Sequence, residues 1–171
     1  MAGLNEAQRA AEIVRDAGGH IVGRTRFQKI AFILEAAGVG AGFPFRYKHY
    51  GPYSEQLAAA AQTARIFGML NEQETPATWG GLYSTYYSLL PQDYQTPEPR
   101  RRLAQELVNV DAVELELAAT ALFLASERFQ DPWAETARRK PEKADSGRLQ
   151  RARQLYDRLR SIPTPRPLPP L

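Results

Sequence analysis

Arg46, Tyr47, Lys48, His49, Tyr50 and Tyr53 form the densest grouping of chemically versatile side chains in the chain. An imidazole can exchange a proton near neutral pH. Guanidinium and ammonium groups bind carboxylates and phosphates, and tyrosine and arginine are enriched at the hot spots of protein interfaces. Two readings are open for this segment. In one, the aromatics are half-buried strand residues and Gly51-Pro52 reverses the chain. In the other, Arg46, His49, Tyr50 and Tyr53 form a contact surface for a protein partner. A second cationic group, Arg24, Arg26 and Lys29, falls at the start of an expected helix, where the helix dipole disfavours positive charge. These side chains are either solvated or, with the free N–H groups of the helix start, a site for an anion or an acidic partner.

Other chemistry is poorly represented. There is no cysteine, so disulfides, thiolate metal sites and cysteine nucleophiles are excluded. His20 and His49 are too few for a histidine metal cluster, and no carboxylate spacing suggests another kind. Gly38, Gly40 and Gly42 lack the strand, helix and lysine of a phosphate loop, and there is no Gly-x-Ser-x-Gly elbow. Glu114 and Glu116 fall on different helix faces. No catalytic residue, metal ligand or cofactor is therefore assigned, and the expectation is a protein that is not an enzyme.

The chain has 171 residues, 43% hydrophobic and 24% charged, which suits a globular protein with a real core. Its 22 Lys+Arg against 19 Asp+Glu give a net charge of only +3, below the basic dominance usual for nucleic-acid binders. No apolar run approaches the roughly 20 residues that span a bilayer. Met1 to Gln8 has no basic start and no apolar stretch. The expectation is a cytoplasmic protein without membrane contact.

The elements that must position these groups follow from periodicity and caps. Asn5 with Gln8 resembles a capping box before an amphipathic helix over about 5–17, closed by Gly18 and Gly19. His20 to Val22 reads as a connector. Thr25 with Gln28 is a second capping box, and Phe27, Ile30, Ala31 and Leu34 make that helix's buried stripe. Phe43 to Tyr50 alternates as a strand, Gly51-Pro52 makes a turn, and Ser54 caps a helix with Leu57, Ala60, Ala61, Ala64 and Phe67 inward. Met69 to Glu74 and Leu82 to Leu90 form a hairpin. Helices follow at Glu98 to Leu107, after the Asp111 N-cap, at Pro132 to Arg139 and at Ser146 to Ile162. The helix after Asp111 is apolar almost all round, so it is the buried centre of the second half. Pro163 to Leu171 is proline-rich and reads as an extended tail outside the core.

Phe27-Gln28-Lys29-Ile30 and, further on, Tyr50-Gly51-Pro52-Tyr53-Ser54 together resemble the Leu-Gln-Lys … Tyr-Gly-Pro pattern of the Panacea (SocA-like) antitoxin domain over about residues 20–70. The chain is also similar to the YwgA-like family through Gly23-Arg24-Thr25, Gln28-Lys29 and Tyr50 to Ser54. That similarity extends to Leu115-Glu116-Leu117-Ala118-Ala119-Thr120 and to Arg139-Lys140-Pro141-Glu142-Lys143. Phe27 stands where the Panacea pattern has leucine, and Tyr53 where it has a small apolar residue. The resemblance implies protein binding of the kind by which Panacea domains neutralise toxins, and by which a SocA-type member serves a protease as adaptor.

The expected fold is mainly α with a minor β component. It comprises a winged-helix-like region over 1–90 with its β-hairpin, a helical bundle over 91–162 packed on it, and the tail over 163–171. The expected function is a non-enzymatic interaction module, antitoxin-like or an accessory regulator of a toxin, defence or stress locus. Its partner surface would be drawn from Arg24, Arg26, Lys29, Arg46, His49, Tyr50 and Tyr53. The alternative is a winged-helix transcriptional regulator reading DNA with Gln56, Gln62 and Arg65, although so few cations on that helix would give little phosphate affinity.

Overall fold

The computed structural model describes residues 2–171; Met1, the first residue of the Met1 to Gln8 stretch, lies outside them. The chain is mainly helical with a small antiparallel sheet. The first half runs α1 (Ala2–Asp16), β1 (His20–Val22), α2 (Arg24–Ala36), β2 (Arg46–Lys48), β3 (Gly51–Tyr53), α3 (Glu55–Ile66), β4 (Leu70–Pro76) and β5 (Leu82–Ser88). The second half is helical: α4 (Glu98–Leu107), α5 (Ala112–Ser126), α6 (Pro132–Arg139), α7 (Pro141–Ala144) and α8 (Arg148–Arg160).

The hub is α5. Asp111 caps it by accepting from the Val113 and Glu114 amides, and every side chain from Leu115 to Leu124 is buried. It packs against α2 and β3 on the side of the first half and against α6 and α8 on the other. A single hydrophobic core therefore runs from Ala7 to Leu168. In the first half, α1 lies on α3 through small residues, Ala7, Ala10 and Ala11 on one helix and Ala60 and Ala64 on the other, which permit close approach. The sheet has the order β1-β5-β4, with His20 opposite Tyr87 and Glu72 opposite Tyr86. A separate two-stranded ribbon pairs β2 with β3, Arg46 opposite Tyr53 and Lys48 opposite Gly51. The second half is fastened to α1 by the buried Asp16, which accepts from Arg100 Nε at 2.6 Å.

Several local expectations are overturned by longer-range partners. α1 starts at Ala2, so Asn5 lies inside it, and Gln8 donates to Glu12 instead of closing a capping box. His20–Val22 is a strand because β5 offers it a ladder. Gly23 caps α2 with no side-chain bond, and Gln28 reaches across to Ser54. Gly51-Pro52 is strand and the reversal falls on His49-Tyr50; Pro52 lacks an N–H but a two-stranded ribbon tolerates it. Phe67 is the C-cap of α3 and is exposed.

The tail also departs from expectation. Leu168 is 5% exposed and joins the core, Tyr156 Oη donates to Pro169 O at 2.6 Å, and the Arg166 amide donates to Ala37 O. Arg160 Nε also donates to Leu168 O and Leu171 packs partly buried against the core, and these few contacts suffice because prolines have already restricted the unbound segment. Leu168→Ala is expected to lower stability in urea denaturation by about 2 kcal/mol, the low end for leucine truncation. A loss below about 0.5 kcal/mol, the ordinary surface value, would show that the docked tail contributes nothing.

Candidate functional site

The ribbon β2–β3 is held from two sides. From α2, the Gln28 side chain acts as a surrogate strand. Its Nε2 donates to Ser54 O at 2.9 Å and its Oε1 accepts from Ser54 N at 2.8 Å. The next residue, Lys29, donates from Nζ to Pro52 O at 2.7 Å. Ser54 then caps α3 by accepting the Leu57 amide, so ribbon and helix share one fixed joint.

From α5, Glu116 and Thr120 face the ribbon one helical turn apart. Glu116 is buried; its Oε1 accepts from Lys140 Nζ at 2.7 Å and its Oε2 from Lys143 Nζ at 2.8 Å. Lys140 also donates to His49 O at 3.1 Å. Two ammonium groups thus terminate on carbonyls of the ribbon, Lys29 on Pro52 in β3 and Lys140 on His49 in the turn, and one carboxylate gathers the charge of Lys140 and Lys143. Gly51 sits at φ 89° directly over Thr120, whose hydroxyl is buried with no hydrogen-bond partner among the described residues.

What this presents outward is aromatic and cationic. Tyr50 is 58% exposed with Lys143 Nζ 4.8 Å from its ring centroid, and Arg46 and His49 are exposed beside it. Lys48 lies over the half-buried Tyr53 and pairs with Glu55. Arg139 lies over Tyr47, which packs on Phe123 of α5.

Burial pushes the Lys29 ammonium down to about 8; Lys140 and Lys143 push the same way and Glu116 opposes. Between that value and the usual value of about 10.4, the unfolded chain holds a proton that the folded chain has released, so stability rises with pH. Burial raises the Tyr86 and Tyr156 phenols. Above about pH 10 the unfolded chain therefore loses phenolic protons that the folded chain keeps, and stability falls. Urea denaturation is expected to show stability rising from about pH 8 to a maximum near about pH 10, where the two windows meet. Lys29→Met should abolish the rise on the acid side of that maximum, and a rise of the same size in the variant would remove Lys29 as its source.

The structure separates the residues singled out in the sequence. Lys29 is 1% exposed, so it is not a partner-binding side chain: it supports the ribbon. Arg26 donates to Val22 O and Val110 O, and burial lowers its pKa, so it too is a tether. Arg46 and Tyr53 lie opposite each other across the ribbon, and His49 and Tyr50 form the turn at its other end. Arg24, Tyr53, Gln62 and Arg65 border a cleft between α2, α3 and the β4–β5 hairpin, while Gln56 is exposed on α3. The cations near α3 are matched by acids: Arg24 with Glu72 at 2.9 Å, Arg65 with Glu72 at 3.6 Å and Lys48 with Glu55. Residues 69–90, the hairpin and its ends, contain no lysine or arginine. The expectation missed Glu116, Thr120, Lys140 and Lys143. They lie far from the ribbon in sequence, and no spacing rule connects a carboxylate at 116 with lysines at 140 and 143.

No family model, no curated protein and no solved structure matches the chain. No helix among the described residues is long and apolar enough to cross a membrane.

Proposed function

We propose that the chain is a non-enzymatic protein-interaction module, antitoxin-like or an accessory regulator of a toxin, defence or stress locus. Its contact surface is the outer side of the β2–β3 ribbon, with Arg46, His49 and Tyr50 at the centre and Tyr53 at the edge. The observation that carries this reading is the double fastening of the ribbon by Gln28 and Lys29 on one side and Lys140 on the other. A surface ordered before binding loses less conformational freedom on association, so more of its contact energy appears as affinity. Tyrosine and arginine on such a surface are the residue types that dominate interface energetics. The resemblance to Panacea domains points the same way.

The second reading is a winged-helix DNA-binding regulator. It is favoured by the order helix, strand, helix, two-stranded ribbon, helix, hairpin and by the sheet order β1-β5-β4, which supports a winged-helix-like description of the first half. Charge ranks it second. DNA affinity comes chiefly from unpaired lysine and arginine on phosphates, and those near α3 already face carboxylates.

Capture of the tagged chain from its native host, with and without nuclease, separates the two. A stoichiometric protein retained after nuclease and at raised salt is expected. Recovery of nucleic acid alone, with affinity falling about a thousandfold between low and moderate salt, would reverse the ranking.

A further inference from the structure

The β2–β3 ribbon has two edges, and only one of them is closed. Pro52 has no N–H, so the ladder bonds fall on the pairs Arg46–Tyr53 and Lys48–Gly51, with the Tyr47–Pro52 pair between them. The peptide groups of Tyr47 and Pro52 therefore point away from the ribbon, in opposite directions. On the β3 side, Pro52 O accepts from Lys29 Nζ, and Ser54 N and O are taken by the Gln28 amide. On the β2 side there is no third strand, and the Tyr47 N–H and C=O have no partner among the described residues.

A cleft of about 420 Å³ runs beside that open edge. Phe45, Arg46 and Tyr47 line one wall. Consecutive strand side chains point to opposite faces, so a space that touches all three follows the edge of the strand and not one face. The far wall carries Glu127 and Phe129, at the end of α5 and just beyond it. Phe45 and Tyr47 are half-buried, on Phe32 and Phe123 respectively, and Phe129 is 39% exposed, so apolar surface remains for a ligand. Arg139 lies between the Tyr47 and Phe129 rings, and Glu135 already answers its charge. Lys48 likewise has Glu55. Arg46 is exposed and makes no ion pair among the described residues, so it is the free cation of this edge.

We propose that the open edge of β2 takes an extended segment of the protein partner as a third strand, with an acidic residue beside Arg46 and apolar residues beside Phe45 and Tyr47. The inference rests on the reading of the ribbon as a protein-contact surface and names what that surface recognises. Main-chain hydrogen bonds to Tyr47 supply affinity, and the alternating side chains supply specificity. A second copy of the chain does not fit. Antiparallel pairing of two β2 strands about Tyr47 would set Arg46 of one opposite Lys48 of the other, and like charges directly opposite are destabilising. Glu127 on the far wall disfavours a run of acids, so the signature is a single acidic residue between apolar neighbours. Because Gln28, Lys29 and Lys140 hold the ribbon, its edge has strand geometry before the segment arrives.

The test is a nuclear magnetic resonance titration of the isotope-labelled full chain with the end-blocked peptide Thr-Ile-Glu-Ile-Thr. One control has lysine at the centre. The other is N-methylated on both isoleucines, which removes the N–H that would bond Tyr47 C=O. The Tyr47 amide is expected to shift and saturate with a Kd of about 1 mM or below, and its hydrogen exchange to slow at least about 10-fold at saturation. The N-methylated peptide should leave it unmoved, and the lysine peptide should bind about 3-fold or more weakly. Arg46→Glu should reverse that preference with no change in thermal midpoint, since Arg46 has no ion pair to lose. Absence of binding, binding that leaves the Tyr47 amide unmoved, or equal binding of the N-methylated peptide would overturn the proposal. If a captured protein is still lost on Tyr50→Ala, that failure removes strand addition and leaves the contact surface standing. Capture of nucleic acid alone, beside a saturating shift at Tyr47, would remove the surface reading and keep the edge.

Discussion

Glu116→Gln is expected to lower the unfolding free energy by about 3–5 kcal/mol, the range for breaking a buried ion pair by removing one partner. The substitution keeps the size of the side chain and removes its charge. Lys140, 7% exposed, and Lys143 both lose their only carboxylate, and Lys29 loses the opposing charge nearest to it. The control is Glu114→Gln, two residues away on another face of α5. Glu114 pairs with Arg151 at 2.6 Å, but that guanidinium is half exposed, so the pair contributes no more than about 1 kcal/mol. Urea denaturation of both variants checks the contrast. Equal, small losses would mean that the lysine–glutamate network does not hold the ribbon.

Gly51→Ala is expected to cost about 3 kcal/mol through two separable effects, backbone strain and overpacking. The residue sits at φ 89°, where an L side chain is strained by roughly 1–2 kcal/mol. The added Cβ would also meet Thr120 Oγ1 at 2.5 Å, closer than real contacts allow, in the buried middle of α5. Thr120→Ala by itself should change stability by less than about 1 kcal/mol, because the hydroxyl it removes is buried without a partner. In the double variant the steric part disappears and only the backbone strain of about 1–2 kcal/mol remains. A double variant no more stable than Gly51→Ala would place the cost elsewhere.

These two positions also show what could be read from the sequence. The mainly helical character with a minor sheet was legible, as were the buried helix after Asp111, the Ser54 cap and the hairpin. Each is set within a few residues by apolar period, by a capping side chain or by strand-forming composition. The failures have a common cause. Gln28 sits in a pattern that reads as a local cap, yet its amide finds a better partner 26 residues away at Ser54. Lys29 is charged and reads as surface, yet it has a carbonyl to reach inside. Gly51-Pro52 has turn composition, but glycine is there for its positive φ and for the closeness of Thr120. Leu168 is one apolar residue among prolines, and no periodicity can mark a single contact. Of the candidate site, Arg46, His49, Tyr50 and Tyr53 were singled out from residue type alone, and the structure shows where they lie on the ribbon and its turn. Their supports on α5, α6 and α7 are charges far apart in sequence, which pattern reading does not connect.

We propose that the outer side of the ribbon is a protein-contact surface fixed before binding. The most direct measurement is the affinity of the captured partner for the purified chain, for Tyr50→Ala and Arg46→Glu on the ribbon, and for Arg148→Glu on α8. The account predicts at least a 10-fold loss for both ribbon variants, roughly the 1.4 kcal/mol or more expected of hot-spot positions. It predicts no change for Arg148→Glu and no shift in thermal midpoint for any of the three. Unchanged affinity in the ribbon variants, with the partner still bound, would contradict it and place the contact elsewhere on the molecule.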